Sequence, residues 1–495
     1  RLTRAEGRAV WRYLPRVVSE RTQSWVRKAV QHARVEGASL QLQGRLADFP
    51  FRDGKGRFEV VIGLRDGVLD YAPGWPAIEG IDGELRFAGP GLRVEAERAR
   101  VFGVALGGVV ADIPDLDTRR SGLMTITGRA RGPSTDFLRF IAESPLAARI
   151  GALTDALQVE GEGELALRLA MPLKALVDTE VQGEYRFADN RVGVLAQLPP
   201  IERAAGRVRF TRNGLSISGA RGRWFGEPLR LAARTGSDGA LRFEAEGGAK
   251  VKALQAAFGW PWLTRLSGST AWQGTLQVRR GGFALSLEAP LEGLASSLPH
   301  PLAKRADGAL PLRLKLANEG GDAPTRLEVS LAELLHARLS RTPSDGDGAA
   351  AIAGGIGIGE PVREAERGVM VAARLDALDV DAWRHVLGAL DDEAEGKEEG
   401  GGASALPLAG VALQCARLHV FGQDLAAVDL RAVADDGGWR ARLRSDRADG
   451  EFDWRNAGDG TLHARFARLE LDGGEGDKAE SESGQASRTP PRRLP

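Results

Sequence analysis

The sequence predicts a mainly β chain: an elongated, curled antiparallel β-sheet built of repeated modules, a β-groove, with short amphipathic helices between the strand runs. Three observations carry that reading. Residues 83–103 and 206–226 align without a gap at a spacing of 123, with nine identities in 21 positions, among them Gly83/Gly206, Phe87/Phe210 and Phe102/Phe225. Apolar and polar residues alternate with period two through most of the chain. Glycine is frequent, 64 of 495 residues, which suits many turns between many strands. A duplicated strand-rich module stacks into an array, so function is expected in a continuous surface and not in a compact pocket.

The elements follow in order. Pro15 opens a segment with Val18, Trp25, Ala29 and Val30 at near-helical spacing, predicting an amphipathic helix over 15–36. Alternation then predicts strands at 39–46 and 57–71. In the second, Phe58, Val60, Ile62 and Leu64 share one face, and Asp66-Gly67 is a two-residue hairpin signal. Pairing across that turn would set Leu64 opposite Leu69 and Ile62 opposite Tyr71. The copy repeats it: Tyr185 and Phe187 precede Asp189-Asn190, and Val192 and Val194 follow. The next strands alternate Leu85, Phe87, Leu92 and Val94, with Val208, Phe210, Leu215 and Ile217 in the copy. Short helical segments follow near 133–150 and 249–266, and another is expected at 378–390. Further strands are read at 164–169, 275–278, 283–287, 310–316, 325–334 and 424–445.

The organisation expected is a helix with leading strands (10–57), repeat module 1 (58–180), module 2 (181–305) and further strands with a short helix (306–390). A charged, glycine-rich insertion at 391–404 and a tail at 473–495 lack apolar periodicity and are read as disordered, on either side of a C-terminal strand unit at 405–472.

Composition removes several function classes. With 67 basic and 67 acidic residues there is no basic footprint for nucleic acid. A single cysteine, Cys415, excludes an intrachain disulfide and is read as a buried thiol. No run of about 20 apolar residues spans a bilayer, and the charged start is no signal peptide. Without an initial Met the chain reads as a fragment. The histidines (His32, His300, His336, His385, His419, His463) sit at no metal-binding spacing, and no nucleophile elbow, phosphate loop or cofactor motif occurs. The run GGIGIGE at 354–360 lacks the dinucleotide-loop spacing and reads as a glycine-tolerant strand or turn. No catalytic residue, cofactor or metal is expected. Trp75, Trp224, Trp260, Trp262 and Trp272 lie near turns or strand ends, where they either pack or meet lipid.

A sheet with one apolar face must hide it. A second sheet would do so in a sandwich; a curled array turns the face into an apolar trough instead. Left empty, such a trough exceeds the few hundred Å² a soluble monomer usually exposes. Acyl chains fill it well, because each buried CH₂ contributes about 0.8 kcal/mol without a specific polar contact. The lining expected is Phe58, Val60, Ile62, Leu64, Leu69, Tyr71, Leu85, Phe87, Leu92, Val94 and the copies Tyr185, Phe187, Val192, Val194, Val208, Phe210, Leu215 and Ile217.

The segment DYAPGWPAIEGIDGELRF, the stretch LEGLASSLPHPLAK (291–304) and the closing FGQDLAAVDLRAVADDGGWRARLRSDRADGEFDW resemble the YhdP-type proteins of the AsmA-like superfamily over roughly 10–470. In the last, Gly422, Leu425, Val428, Leu430, Trp439, Leu443 and Gly450 resemble a recurring hydrophobic unit. The resemblance implies a periplasmic segment of a protein anchored in the inner membrane of a Gram-negative bacterium, by an anchor this chain lacks. It implies phospholipids as the ligand, carried toward the outer membrane, with outer-membrane components as further partners and no catalysis. A second reading is a scaffold like the related TamB-like proteins, which would handle outer-membrane strands by edge pairing. An enzyme would need convergent polar residues that the sequence does not offer.

Overall fold

The computed structural model describes residues 5–13, 19–117, 122–154, 157–194, 198–279, 281–343, 351–386, 406–435, 437–455 and 460–470. The segments read as a disordered insertion (391–404) and tail (473–495) lie outside them.

After β1 (Ala5–Glu6) and a 3-10 turn (Gly7–Tyr13) comes α1 (Glu20–Ala29), whose first turn is capped by the Ser19 hydroxyl accepting from the Thr22 amide. The sequence placed this helix over 15–36. It ends earlier, because from Val30 the chain pairs with its neighbour as β2 (Val30–Gln43). Module 1 supplies β3 (Arg57–Leu69), β4 (Ile78–Ala88), β5 (Gly91–Val101), β6 (Val104–Ile113), β7 (Leu123–Pro133), α2 (Ser134–Ala142), α3 (Ala147–Thr154), β8 (Gln158–Glu160) and β9 (Glu162–Pro172). Then follow β10 (Glu180–Gly193), β11 (Ile201–Thr211), β12 (Gly214–Trp224), β13 (Glu227–Thr235), β14 (Leu241–Lys250), α4 (Val251–Phe258), a 3-10 turn (Pro261–Arg265), β15 (Leu266–Arg279), β16 (Gly282–Ala289) and β17 (Leu294–Ser296). The remaining strands are β18 (Leu312–Asn318), β19 (Thr325–Leu331), β20 (Leu335–Thr342), β21 (Ala351–Ile358) and β22 (Gly368–Asp379). Residues 380–386 are helical (α5), and β23 (Leu408–Val420), β24 (Gln423–Asp435), β25 (Gly438–Arg444), β26 (Ala448–Arg455) and β27 (Thr461–Leu469) are the last strands among the described residues.

Among the described residues 27 strands belong to one continuous, unclosed, curled sheet. From β2 to β27 the ladder runs for roughly 110 Å at the ordinary strand spacing. Pairing is antiparallel except that β21 with β22, and β22 with β23, run parallel. The return from β21 to β22 lies against the glycine face of β21. A Cβ on Gly355 would overlap the Arg363 carbonyl, and one on Gly357 the Glu360 carbonyl. The run GGIGIGE is therefore a strand whose glycines admit a close backbone crossing, as the sequence reading has it.

The two hairpins read at Asp66-Gly67 and Asp189-Asn190 do not form. β3 continues through Asp66, with Leu64 opposite Gly83, Gly67 opposite Ile81 and Leu69 opposite Ile78. β10 likewise continues, with Phe187 opposite Gly206, Asn190 opposite Ala204 and Val192 opposite Ile201. Leu64 thus does not pair with Leu69, nor Ile62 with Tyr71. The left-handed backbone that suggested a turn is real, φ 51° at Asp66 and 58° at Asp189, but it serves a β-bulge. Both strands are paired on both sides, so the extra residue is absorbed locally and does not reverse the chain.

Strand direction places the helices. Counting reversals along the ladder, α1 enters β2, and α2, α4 and α5 leave β7, β14 and β22, all at the same edge of the sheet. That edge also holds three two-residue turns with the same Phe-Gly sequence: Phe102-Gly103, Phe225-Gly226 and Phe421-Gly422, with φ of 53°, 47° and 51° at the phenylalanines. Each turn touches its own helix. Gly103 donates its amide to Asp136 of α2, Phe225 stacks on Phe258 of α4, and Gly422 donates to Asp381 of α5. The shared Phe and Gly of the sequence repeat therefore mark a helix-docking turn.

Candidate functional site: a continuous apolar face

Register shows which side chains share a face, because directly opposed residues point the same way. Phe58 lies opposite Leu42, Val60 opposite Leu40 and Phe87, and Phe87 opposite Leu92. Ile62 faces Leu85, and Leu85 faces Val94. Across the bulge, Gly67 opposite Ile81 returns Leu69 to the face of Leu64. In the copy Tyr185 lies opposite Val208, Val208 opposite Ile217, and Phe210 opposite Leu215. Leu64 and Phe187 each oppose a glycine, Gly83 and Gly206, where the rows come close: a Cβ on Gly206 would sit 3.0 Å from the Phe187 ring.

β9 joins the two sets. Leu165, Leu167 and Leu169 alternate along it; Leu169 opposes Ile126 of module 1 and Leu165 opposes Tyr185 of module 2. Both copies therefore lie on one face of one sheet. Two residues sit apart from the rows. Tyr71 follows β3 and packs its ring 6.0 Å from Trp75, where burial pushes the phenol up to about 12. Val194 follows β10 and is exposed.

The face continues beyond the residues the sequence singled out. Ile217, Ala233, Phe243, Leu276, Leu285, Leu316, Leu327 and Leu339 oppose one another in succession from β12 to β20. Past the parallel pairings the row runs Leu335, Ile358, Ala373, Leu413, Leu430, Leu443. Its alternation was visible in LPLRLKL and TRLEVSL, which is the signal that could have extended the set.

Most of these residues are half-buried. Among the described residues the largest fully buried side chains are Val251, Val369 and Asn190, with no leucine or aromatic ring among them. A packed core closes locally around Ala373, Leu413, Cys415, Leu418 and Val428, where the thiol is buried as expected and its pKa is raised by desolvation. The opposite face carries ion pairs. Glu59 accepts from Arg57 and Arg86, and Glu184 from Arg209 and Arg186; these guanidinium contacts hold both carboxyls below the ordinary glutamate value.

The helices reach over the edge onto the apolar side. Phe137 of α2 meets Tyr185 edge-on at 5.1 Å, and the Tyr185 hydroxyl lies 2.7 Å from Ser134 Oγ, beside Asn190, which is 1% exposed. Phe140 packs on Trp75. The LEGLASSLPHPLAK stretch has a role that sequence reasoning missed: it forms an arm from β16 that meets α5. Leu298 and Val386 are buried together, with the half-buried Trp383 packed against them, and the Trp383 indole donates to the His300 carbonyl.

Beside the third Phe-Gly turn, His419 bonds Asp424 at 2.7 Å and lies 3.7 Å from Asp381. The Asp424 contact, aided by Asp379 and Asp381, raises the imidazole above its ordinary value. A raised folded-state pKa means this attachment is strongest below the ordinary histidine pKa and is lost as pH climbs through the raised value. We expect an NMR titration to place His419 above 6.5, and Asp424→Asn to bring it back; an unshifted titration in the parent would show that the pair does not form in solution.

An open, curled sheet, apolar on one face, ion-paired on the other and edged by helices, defines the class: a β-groove repeat protein. The chain belongs to the YhdP family, whose family model, described as "YhdP protein", matches residues 1–495. It is 26% identical over 328 residues to a protein of Escherichia coli (strain K12) described as "Intermembrane phospholipid transporter YhdP", covering 63% of this chain and 25% of that protein. The chain thus spans about a quarter of the length of that relative. No solved structure matches. Among the described residues no helix is long and apolar enough to cross a membrane.

Proposed function

We propose that this chain is a non-enzymatic segment of a phospholipid conduit, in which acyl chains lie along the apolar face from β2 to β25. The observation that carries the reading is the unbroken row of opposed apolar side chains, half-buried along most of its length, on a sheet that no second sheet covers among the described residues. Such a surface gains about 25 cal/mol for each Å² that a lipid chain removes from water. The E. coli relative's description as an intermembrane phospholipid transporter supports the same ligand. In this reading the segment lies in the periplasm of a Gram-negative cell, within a protein anchored in the inner membrane, and lipid moves toward the outer membrane.

Native mass spectrometry of the purified chain is expected to show bound diacyl phospholipids, several per molecule, that detergent exchange removes. A protein that carries no lipid, and takes none from vesicles, would overturn the proposal.

A further inference from the structure

Six aromatic rings run in a chain from the apolar face out over the helix-bearing edge at α4. Trp272 shares the inner face with Leu276, four residues on along β15. Its ring lies 5.8 Å from Trp224, Trp224 lies 4.4 Å from Phe225, and Phe225 lies 6.1 Å from Phe258. Phe258 stacks on Trp260 at 4.7 Å, and Trp260 on Trp262 at 5.7 Å. The inner members are fixed by hydrogen bonds, Trp272 to the Gly248 carbonyl and Trp224 to the Pro199 carbonyl. The outer two are open to solvent, Trp260 47% and Trp262 42% exposed.

Glu227, next to the Phe225-Gly226 turn, is paired with Lys250 at 3.1 Å, and the segment that follows carries only basic charge. No acidic residue occurs between Glu246 and Glu288, a stretch that includes α4 and the turn after it. Lys252 is exposed on α4 and Arg265 ends the following 3-10 turn; among the described residues neither makes an ion pair. By contrast α2, the corresponding helix of module 1, carries Asp136 and pairs Arg139 with Glu143. The aromatic rings around α2 also stop short, at Trp75 and Phe140 on one side and Phe137 and Tyr185 on the other.

We infer that the α4 edge is a side port through which single phospholipids of net negative headgroup charge pass between solvent-side membranes and the apolar face. The inference rests on the conduit reading above. Flat rings in succession offer an acyl chain apolar contact at each step across an edge that would otherwise expose it to water. Tryptophan is suited to the outermost positions, where one end of the contact is apolar and the other wet. Lys252 and Arg265 attract the headgroup phosphate as it crosses, an attraction that salt weakens.

The test feeds the full chain with vesicles of phosphatidylglycerol bearing dibrominated acyl chains, or of phosphatidylcholine bearing the same chains, and follows quenching of tryptophan fluorescence. The expected result is faster capture of phosphatidylglycerol. Trp260→Ala with Trp262→Ala should slow capture about tenfold. Final lipid load, read by native mass spectrometry, should not change. Lys252→Glu with Arg265→Glu should abolish the preference for phosphatidylglycerol over phosphatidylcholine. Capture at the parent rate by the tryptophan variant would overturn the port. Equal capture of the two lipids by the parent would overturn its selectivity. Absence of any lipid in the parent would overturn the conduit reading itself, and the port with it.

Discussion

Phe187→Asp is expected to remove lipid from the centre of the trough while leaving the sheet folded. The ring stands on the apolar face beside Tyr185, opposite Gly206. A carboxylate facing hydrocarbon is disfavoured by roughly 3 kcal/mol on the membrane-insertion scale, or about a hundredfold in occupancy. Folding should survive, because the site is half-exposed and water solvates the charge once lipid has left. Leu64→Asp tests the copy. Ala188→Asp is the control, since Ala188 is exposed on the neighbouring position of β10. Arg65 would be a poor control: it pairs with Glu36 at 2.9 Å and Asp82 at 3.6 Å, so an aspartate there would meet two like charges. The measurement is photocrosslinking to phospholipid from an adjacent inner position, with far-UV circular dichroism for the fold. If Ala188→Asp lowers crosslinking as much as Phe187→Asp, the apolar face is not the lipid path.

The second large effect is expected where the arm meets α5. Leu298 is 8% exposed and Val386 7%, in a cluster shared with Leu266, Leu302 and Trp383. Leu298→Ala leaves a cavity there and should cost roughly 2–4 kcal/mol, read as a lower midpoint of thermal unfolding. The Leu298→Ala, Val386→Ala pair should cost less than the sum of the single changes, because the two side chains share one contact surface. Strict additivity would mean that the arm and α5 do not touch in solution.

What the sequence made legible was the face. Period-two alternation survives any error about turns, so Ile62, Leu85 and Val94 could be grouped before their registers were known. The 123-residue repeat likewise identified Phe102/Phe225 and Gly103/Gly226, although not their docking partners. What misled was local chemistry. Asp-Gly and Asp-Asn supply the positive φ that a hairpin and a bulge both need, and only the flanking strands decide between them. Cross-strand facts were out of reach for the same reason: the parallel pairings of β22, the shared edge of the helices and the contact of the arm with α5 depend on partners far away in sequence. The aromatic chain at α4 lay half in view, its tryptophans noted singly, but centroid spacings order them and periodicity cannot.

The arm has one more consequence. In a sheet where each strand touches only its two neighbours, opening can start at any strand and spread by small steps. Here the connection after β16 reaches past β18, β19, β20 and β21 to grip α5 at the end of β22. Those strands are thereby held inside a closed loop of contacts, and none of them can separate fully until the clasp lets go. The middle of the array should therefore behave as one cooperative block, its amides exchanging with solvent at a common slow rate, flanked by stretches that breathe strand by strand.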